Sequence, residues 1–300
     1  MSIVITVLDP KKAVQVSDTL VTNFRNRSVM SKITRKTIIV LGKKAKFVVG
    51  WVGLAIDATG QHRTGRWLWE TLVTMDAVEL PIKEIANRLA SAATKKVARL
   101  HAANKTLSIV MAGWDASPFV VTVSNSLKVS NKRKPNPANK THHIPTVSET
   151  TRSETFTANI QRYAKNYGKG PAERHTRGKR RDYLVTVVGD FTSAKLAGYF
   201  TKLKRRMKKR VPASEITEVC REIALEASSH TGTIGRTLIG VEVSKRGKNI
   251  CTFYSEDDEP RILMPPMLTL QGASIDGTIT ENPDGTIRLQ AKIVRRTKKP

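Results

Sequence analysis

SIVITVLDPKKAVQVSD, residues 2–18, is the stretch that decides how the rest of the chain is read. From Ser2 to Leu8 β-branched residues recur in the manner of a strand. Asp9-Pro10-Lys11-Lys12 supplies a turn, and a second strand starts at Ala13 and ends at Asp18. The chain therefore opens on a β-hairpin.

Outward from that hairpin, Thr37 to Leu41 and Lys46 to Val52 form a second strand pair around Gly42-Lys43-Lys44, and their unbroken apolar runs predict burial on both faces. Two helical patterns follow. One runs from about Ala58 to Thr74, opened by Asp57 as its cap, and the other from Ile82 to Ala103. Strands are expected again at Leu107–Ala112 and Phe119–Ser124. Residues 128–181 are rich in Pro, Asn, Thr and basic side chains and read as a basic, mobile insert with a short helix around Phe156 to Tyr167. Order returns with a strand at Tyr183–Val188, helices at Ser193–Arg210 and Ser214–Ser229, and strands at Thr237–Val243 and Asn249–Tyr254. The tail carries a hairpin, Ser274–Thr280 with Thr286–Val294, around Asn282-Pro283-Asp284-Gly285. Two helix pairs separated by strands predict two sheets sandwiched between helical layers. The domain reading is residues 1–254 with the insert inside them, followed by an extension over 255–300.

The 300 residues are 39% hydrophobic, enough to bury a sizeable core. Cys220 and Cys251 are far apart, with no CxxC, and read as buried thiols. No apolar run approaches the roughly 20 residues of a membrane span, and no secretory signal opens the chain, so the expected location is the cytoplasm. A formal charge of +27 attracts polyanions, whether nucleic acid, acidic membrane or acidic peptide. GxSxG, P-loop and strand-to-helix GxGxxG signatures are all missing. His142-His143 lacks acidic or cysteine partners, so neither a metal nor another cofactor is expected.

This order of strands and helix pairs resembles the proteasome β-subunit family of N-terminal-nucleophile hydrolases, and particular residues fall at that family's positions. If Met1 is removed, Ser2 becomes the first residue and Asp18 takes the place of the family's aspartate at the end of the second strand (Val16-Ser17-Asp18-Thr19). Lys32, in Ser31-Lys32-Ile33, resembles the "KI" lysine, after a loop somewhat shorter than in relatives. Gly53, in Gly53-Leu54-Ala55-Ile56-Asp57, resembles the glycine of an "AGxxAD" turn. Ala112-Gly113-Trp114-Asp115 resembles "AGWD". In supporting positions Thr192 stands where a serine turn precedes the third helix, and Ser228 and Thr231 stand in a "DxxSG"-like turn that has lost its carboxylate. The resemblance implies an α+β fold, a four-layer αββα sandwich of two antiparallel sheets, to which the insert and the C-terminal hairpin are additions. It also implies a homo-oligomer, with a ring as one form, acting on peptide or protein substrates.

The chemistry of such a site needs no histidine. An N-terminal serine carries its own α-amine, which titrates near neutrality and can act as the base. A lysine ammonium beside it favours the neutral amine, an aspartate orients the lysine, and the Gly53 N–H holds the oxyanion. Each residue also has a plainer reading: Ser2 as simply the second residue, Asp18 as a turn former, Lys32 as a solvated charge, Gly53 as a turn glycine, and Ser228 and Thr231 as capping residues. The basic run Lys202–Arg210, with Lys132-Arg133-Lys134, Lys179-Arg180-Arg181 and Arg295-Arg296, keeps open a second function. In that reading the chain is a catalytically silent proteasome-like scaffold that binds nucleic acid or an acidic partner.

Overall fold

The opening hairpin forms as the sequence predicts. In a computed structural model of the chain, β1 (Ile3–Leu8) and β2 (Lys12–Asp18) pair antiparallel, with Val4 opposite Ser17 and Leu8 opposite Ala13. The structure describes residues 2–8, 12–23, 28–32, 34–102, 105–126, 152–162, 183–189, 193–208, 211–212, 215–232, 234–244, 249–254, 265–269, 273–281 and 287–295.

Beyond the hairpin come a small ribbon, β3 (Val21–Thr22) with β4 (Val29–Ser31), and then β5 (Thr37–Leu41), β6 (Lys46–Gly53), α1 (Thr64–Thr74) and α2 (Ile82–Ala98). After these run β7 (Leu107–Trp114), β8 (Pro118–Ser126), β9 (Arg152–Arg162), β10 (Leu184–Gly189), α3 (Ser193–Lys208) and α4 (Ile216–Ser229). The last elements are β11 (Leu238–Ser244), β12 (Asn249–Tyr254), β13 (Met267–Thr269), β14 (Ala273–Glu281) and β15 (Ile287–Arg295). One sheet has the order β10-β1-β2-β11-β12-β15-β14, and the other β13-β5-β6-β7-β8-β9.

Every residue of β1 and β2 is buried, which follows from what covers each face. Ile3, Ile5, Val7, Val14 and Val16 share an apolar cluster with Leu203 of α3 and with Val219, Ile223 and Ala227 of α4. Val4, Leu8 and Ala13 point the other way, into a cluster with Ile39, Val48, Val110 and Val120 of the second sheet. Alternation along the strand thus sends successive side chains into two different cores. A third cluster joins Val49, Trp51, Ile109 and Val121 to Leu68 and Leu72 of α1 and to Ile85, Leu89 and Ala93 of α2. These helices are spaced as an apolar stripe demands, and α2 carries Glu84 in its first turn and Lys95 and Lys96 in its last, as the helix dipole favours.

The structure departs from the sequence reading in four places. The expected helix around Phe156 is a strand, β9, paired antiparallel to β8. Phe156 is buried and Ala158 and Ile160 half-buried, while Thr157 and Asn159 point out, the period of two that marks a half-covered strand. The rest of the stretch 128–181 lies outside the described residues. Asp57 does not cap the first helix, which starts at Thr64 after Arg63. The C-terminal strands pair antiparallel as a hairpin should, but β15 also pairs with β12 and so continues the larger sheet. Finally, β13 runs parallel to β5, so the smaller sheet is mixed and not wholly antiparallel.

The two thiols sit in different cores and are buried, as the sequence implied. Burial pushes the Cys251 thiol up to about 12 and raises that of Cys220 as well. A thiol whose folded pKa is raised stabilises the fold fully below its unfolded pKa and loses that contribution as pH climbs towards the folded value. At pH 8, where thiol reagents titrate exposed cysteines, the native protein is therefore expected to react with none, and with both after guanidinium unfolding. A rapid native reaction would show that one core opens.

Candidate active site

Ser2 immediately precedes β1 and is 8% exposed, and Asp18 closes β2 with no exposure. The hairpin register brings them together: the Ile3 N–H donates to Asp18 Oδ1 at 2.9 Å. The cation beside them is Lys36. Its Nζ donates to Ser2 Oγ at 2.7 Å and to Asp18 Oδ2 at 2.9 Å, and its third hydrogen goes to the Leu20 carbonyl. All three ammonium hydrogens are thereby used.

Lys32, the lysine singled out from the sequence, is exposed. Its contribution is a backbone carbonyl that accepts the Thr19 hydroxyl at 2.6 Å. The reason is register. Lys36 is the residue directly before β5, whose first member Thr37 bonds Ser17 across the two sheets at 2.7 Å, so position 36 is carried to the end of β2. Lys32 lies in the turn between β4 and β5.

Asp18 is held through both of its carboxylate oxygens. Besides Lys36 and Ile3 it accepts the N–H groups of Leu20 at 3.2 Å and Gly235 at 3.3 Å. Burial holds the Lys36 ammonium below its ordinary pKa, while the charge and hydrogen bond of Asp18 pull it back up. A fully buried ion pair of this kind is costly to half-dismantle, because the partner left behind has no solvent to turn to.

Gly53 ends β6 with φ +99°, and a Cβ built there would lie 2.2 Å from the Thr106 carbonyl oxygen, so only glycine fits without strain. Its N–H direction follows from the ladder. Gly53 stands opposite Leu107, whose own N–H donates to Asn125 Oδ1 on β8 at 3.0 Å, so this pair turns its backbone groups away from each other. The Gly53 N–H is therefore directed to the β5 side of β6. On that side the ladder stops at Thr37 opposite Gly50, and the chain before it carries Lys36.

The supporting residues fall elsewhere. Ser228 Oγ donates to the Leu225 carbonyl at 2.7 Å and Thr231 Oγ1 to the Ala227 carbonyl at 3.4 Å, so both close the C-terminal turn of α4. The residue of this turn region that reaches Asp18 is Gly235, which the sequence reading missed. Thr192 lies outside the described residues.

Asp57 instead ties down the loop before α1: its carboxylate accepts the Thr59 hydroxyl at 2.8 Å and the His62 N–H at 3.0 Å. Burial, and after it the charge of Lys96, lower the His62 pKa, with Asp57 pulling the other way.

Several α3 cations engage within the molecule. Lys202 pairs with Glu226, Arg206 with Glu222 at 2.7 Å, and Lys204 sits 5.3 Å from the Phe200 ring centre. The basic triplets at 132–134 and 179–181 lie outside the described residues. No helix among those described is long and apolar enough to cross a membrane.

Neither protein-family models nor curated protein sequences give a match to this chain. Among solved structures it is similar to Anbu (ancestral beta-subunit) from Yersinia bercovieri, at 10% sequence identity and a TM-score of 0.47, covering 81% of this chain and 80% of that one.

Proposed function

We propose that the chain is an N-terminal-nucleophile hydrolase of the proteasome β-subunit type, in which Ser2, exposed as the terminal residue by removal of Met1, attacks amide bonds of a peptide or protein substrate. The observation that carries this reading is the buried array Ser2 Oγ, Lys36 Nζ and Asp18 Oδ2, linked at 2.7 and 2.9 Å. A lysine buried without solvent and aimed at the hydroxyl of the second residue serves no packing need that a leucine would not meet at lower desolvation cost.

In this mechanism the Ser2 hydroxyl proton passes to the Ser2 α-amine as Oγ bonds the substrate carbonyl carbon. The Lys36 cation keeps that amine neutral before attack and steadies the charge that builds on Oγ. Asp18 holds Lys36 in place. The Gly53 N–H, directed to this side of β6, donates to the carbonyl oxygen as it becomes an oxyanion. The ammonium at Ser2 then returns the proton to the departing amine, and water hydrolyses the ester by the same path reversed. The helix, sheet, sheet, helix order that the three apolar clusters support belongs to the same reading, as does assembly of several copies around an enclosed chamber.

Intact-mass spectrometry with a peptide β-lactone tests this directly. The expected result is a protein lacking Met1 that gains one adduct at Ser2, lost entirely in Ser2→Ala. Retained Met1 with no adduct would sink the enzymatic reading and leave the basic scaffold as the function to pursue.

A further inference from the structure

The backbone donor assigned to the oxyanion sits at the last residue of β6, where the chain leaves the sheet. Gly53 has no side chain to restrict it, and the residues after it, up to Arg63, leave the sheet as a loop crossed by one isolated bridge, Ile56 to Arg63. The ladder aims its N–H, and the contacts at Leu54 and Ala55 brace the chain as it leaves the sheet. The Leu54 N–H donates to the Thr106 carbonyl at 2.8 Å, and the Leu54 carbonyl accepts the Thr64 hydroxyl at 2.5 Å. The Thr64 N–H bonds the Ala55 carbonyl at 2.9 Å.

Thr64 is the first residue of α1 and has no exposure; His62, 4% exposed, places Nε2 3.1 Å from its Oγ1. Since the single hydroxyl hydrogen of Thr64 is committed to Leu54, the His62 ring must donate, which puts its proton on Nε2. The His62 backbone is tied in turn to Asp57, N–H to Oδ1 at 3.0 Å and carbonyl to the Asp57 N–H at 3.3 Å. None of these side chains takes part in the reaction written above, yet together they form a buried polar clamp one residue from Gly53.

We infer that Thr64 is a positioning residue for the Gly53 amide: its hydroxyl, aimed by His62, fixes the Leu54 carbonyl and with it the tilt of the preceding backbone. The inference rests on Ser2 being the nucleophile. It places a sequence-local device, the first residue of α1, in control of the oxyanion donor.

The test follows esterification of Ser2 by a peptide β-lactone, with intact mass read against time and concentration to separate the maximal rate from the binding constant. Thr64→Val is expected to slow the maximal rate at least about tenfold, short of the 10²–10³ of complete donor loss, with binding unchanged. Thr64→Ser, which restores the hydroxyl, should return to within about twofold of the parent. If Thr64→Val shows no cooperative melt, Thr64→Ala replaces it under the same criterion. A folded variant lacking the hydroxyl that reacts at the parent rate overturns the inference, as does equal slowing of Thr64→Ser or an effect on binding alone. In each of these cases the parent protein still reacts. A parent protein that takes no adduct overturns the nucleophile reading itself and this inference with it.

Discussion

Lys36→Ala is expected to abolish acylation of Ser2 and to lower folding stability by about 3–5 kcal/mol, the cost of leaving a buried carboxylate without its counter-charge. Asp18 has no exposure, and among the described residues its remaining donors are three backbone N–H groups. These cannot supply a full positive charge. The matching control is Lys32→Ala, a change at an exposed side chain, for which both quantities should stay at the parent value. Urea denaturation followed by far-UV circular dichroism, alongside the adduct assay, reads the two effects together. Were Lys32→Ala the damaging change and Lys36→Ala the harmless one, the site described here would be wrong.

Gly53→Ala is the second large effect. The new methyl would stand 2.2 Å from the Thr106 oxygen and 3.0 Å from its carbonyl carbon, both backbone atoms, and the residue would be held at φ +99°. Backbone strain costs of order 1–3 kcal/mol and overpacking a similar amount, so a loss of about 2–6 kcal/mol is expected. Thermal unfolding should show it as a large drop in Tm, and any fraction that folds should acylate slowly because the proposed oxyanion donor is displaced. A variant as stable as the parent would mean that the chain yields easily at Thr106, just ahead of β7, and that Gly53 is not pinned there.

How far the sequence alone reached depended on which physical signal each element carries. The hairpin at residues 2–18, the apolar runs of β5 to β8 and the stripes of α2 and α4 are local patterns, and the structure forms them close to where they were read. β9 was misread because its alternation sits inside a polar, basic stretch whose composition suggested a mobile insert. Asp57 was misread as a cap because an aspartate ahead of an apolar run has the same signature whether it closes a loop or opens a helix.

Ser2 and Asp18 were picked out through their resemblance to the family's positions, and the hairpin register brings them together. Lys36 could not, because the segment 32–36 holds Lys32, Arg35 and Lys36, and which cation enters the core depends on the register of β5 against the other sheet. One clue was present: Lys36 stands two residues ahead of the continuously apolar run Ile38 to Leu41, with Thr37 between. The contribution of Gly235 is a long-range backbone contact, and no spacing rule in the sequence announces it.

The strand order of the larger sheet also sets a schedule. Ser2 and β1 are made before the strands that flank them: β1 lies between β2 and β10, and β2 is flanked by β11. Asp18 is completed by Gly235, 217 positions further along the chain. Such distant pairing is slow to close. Ser2 is therefore made long before its surroundings are complete: a chain truncated or stalled ahead of Gly235 would carry the proposed nucleophile without the full set of contacts that holds Asp18 beside it.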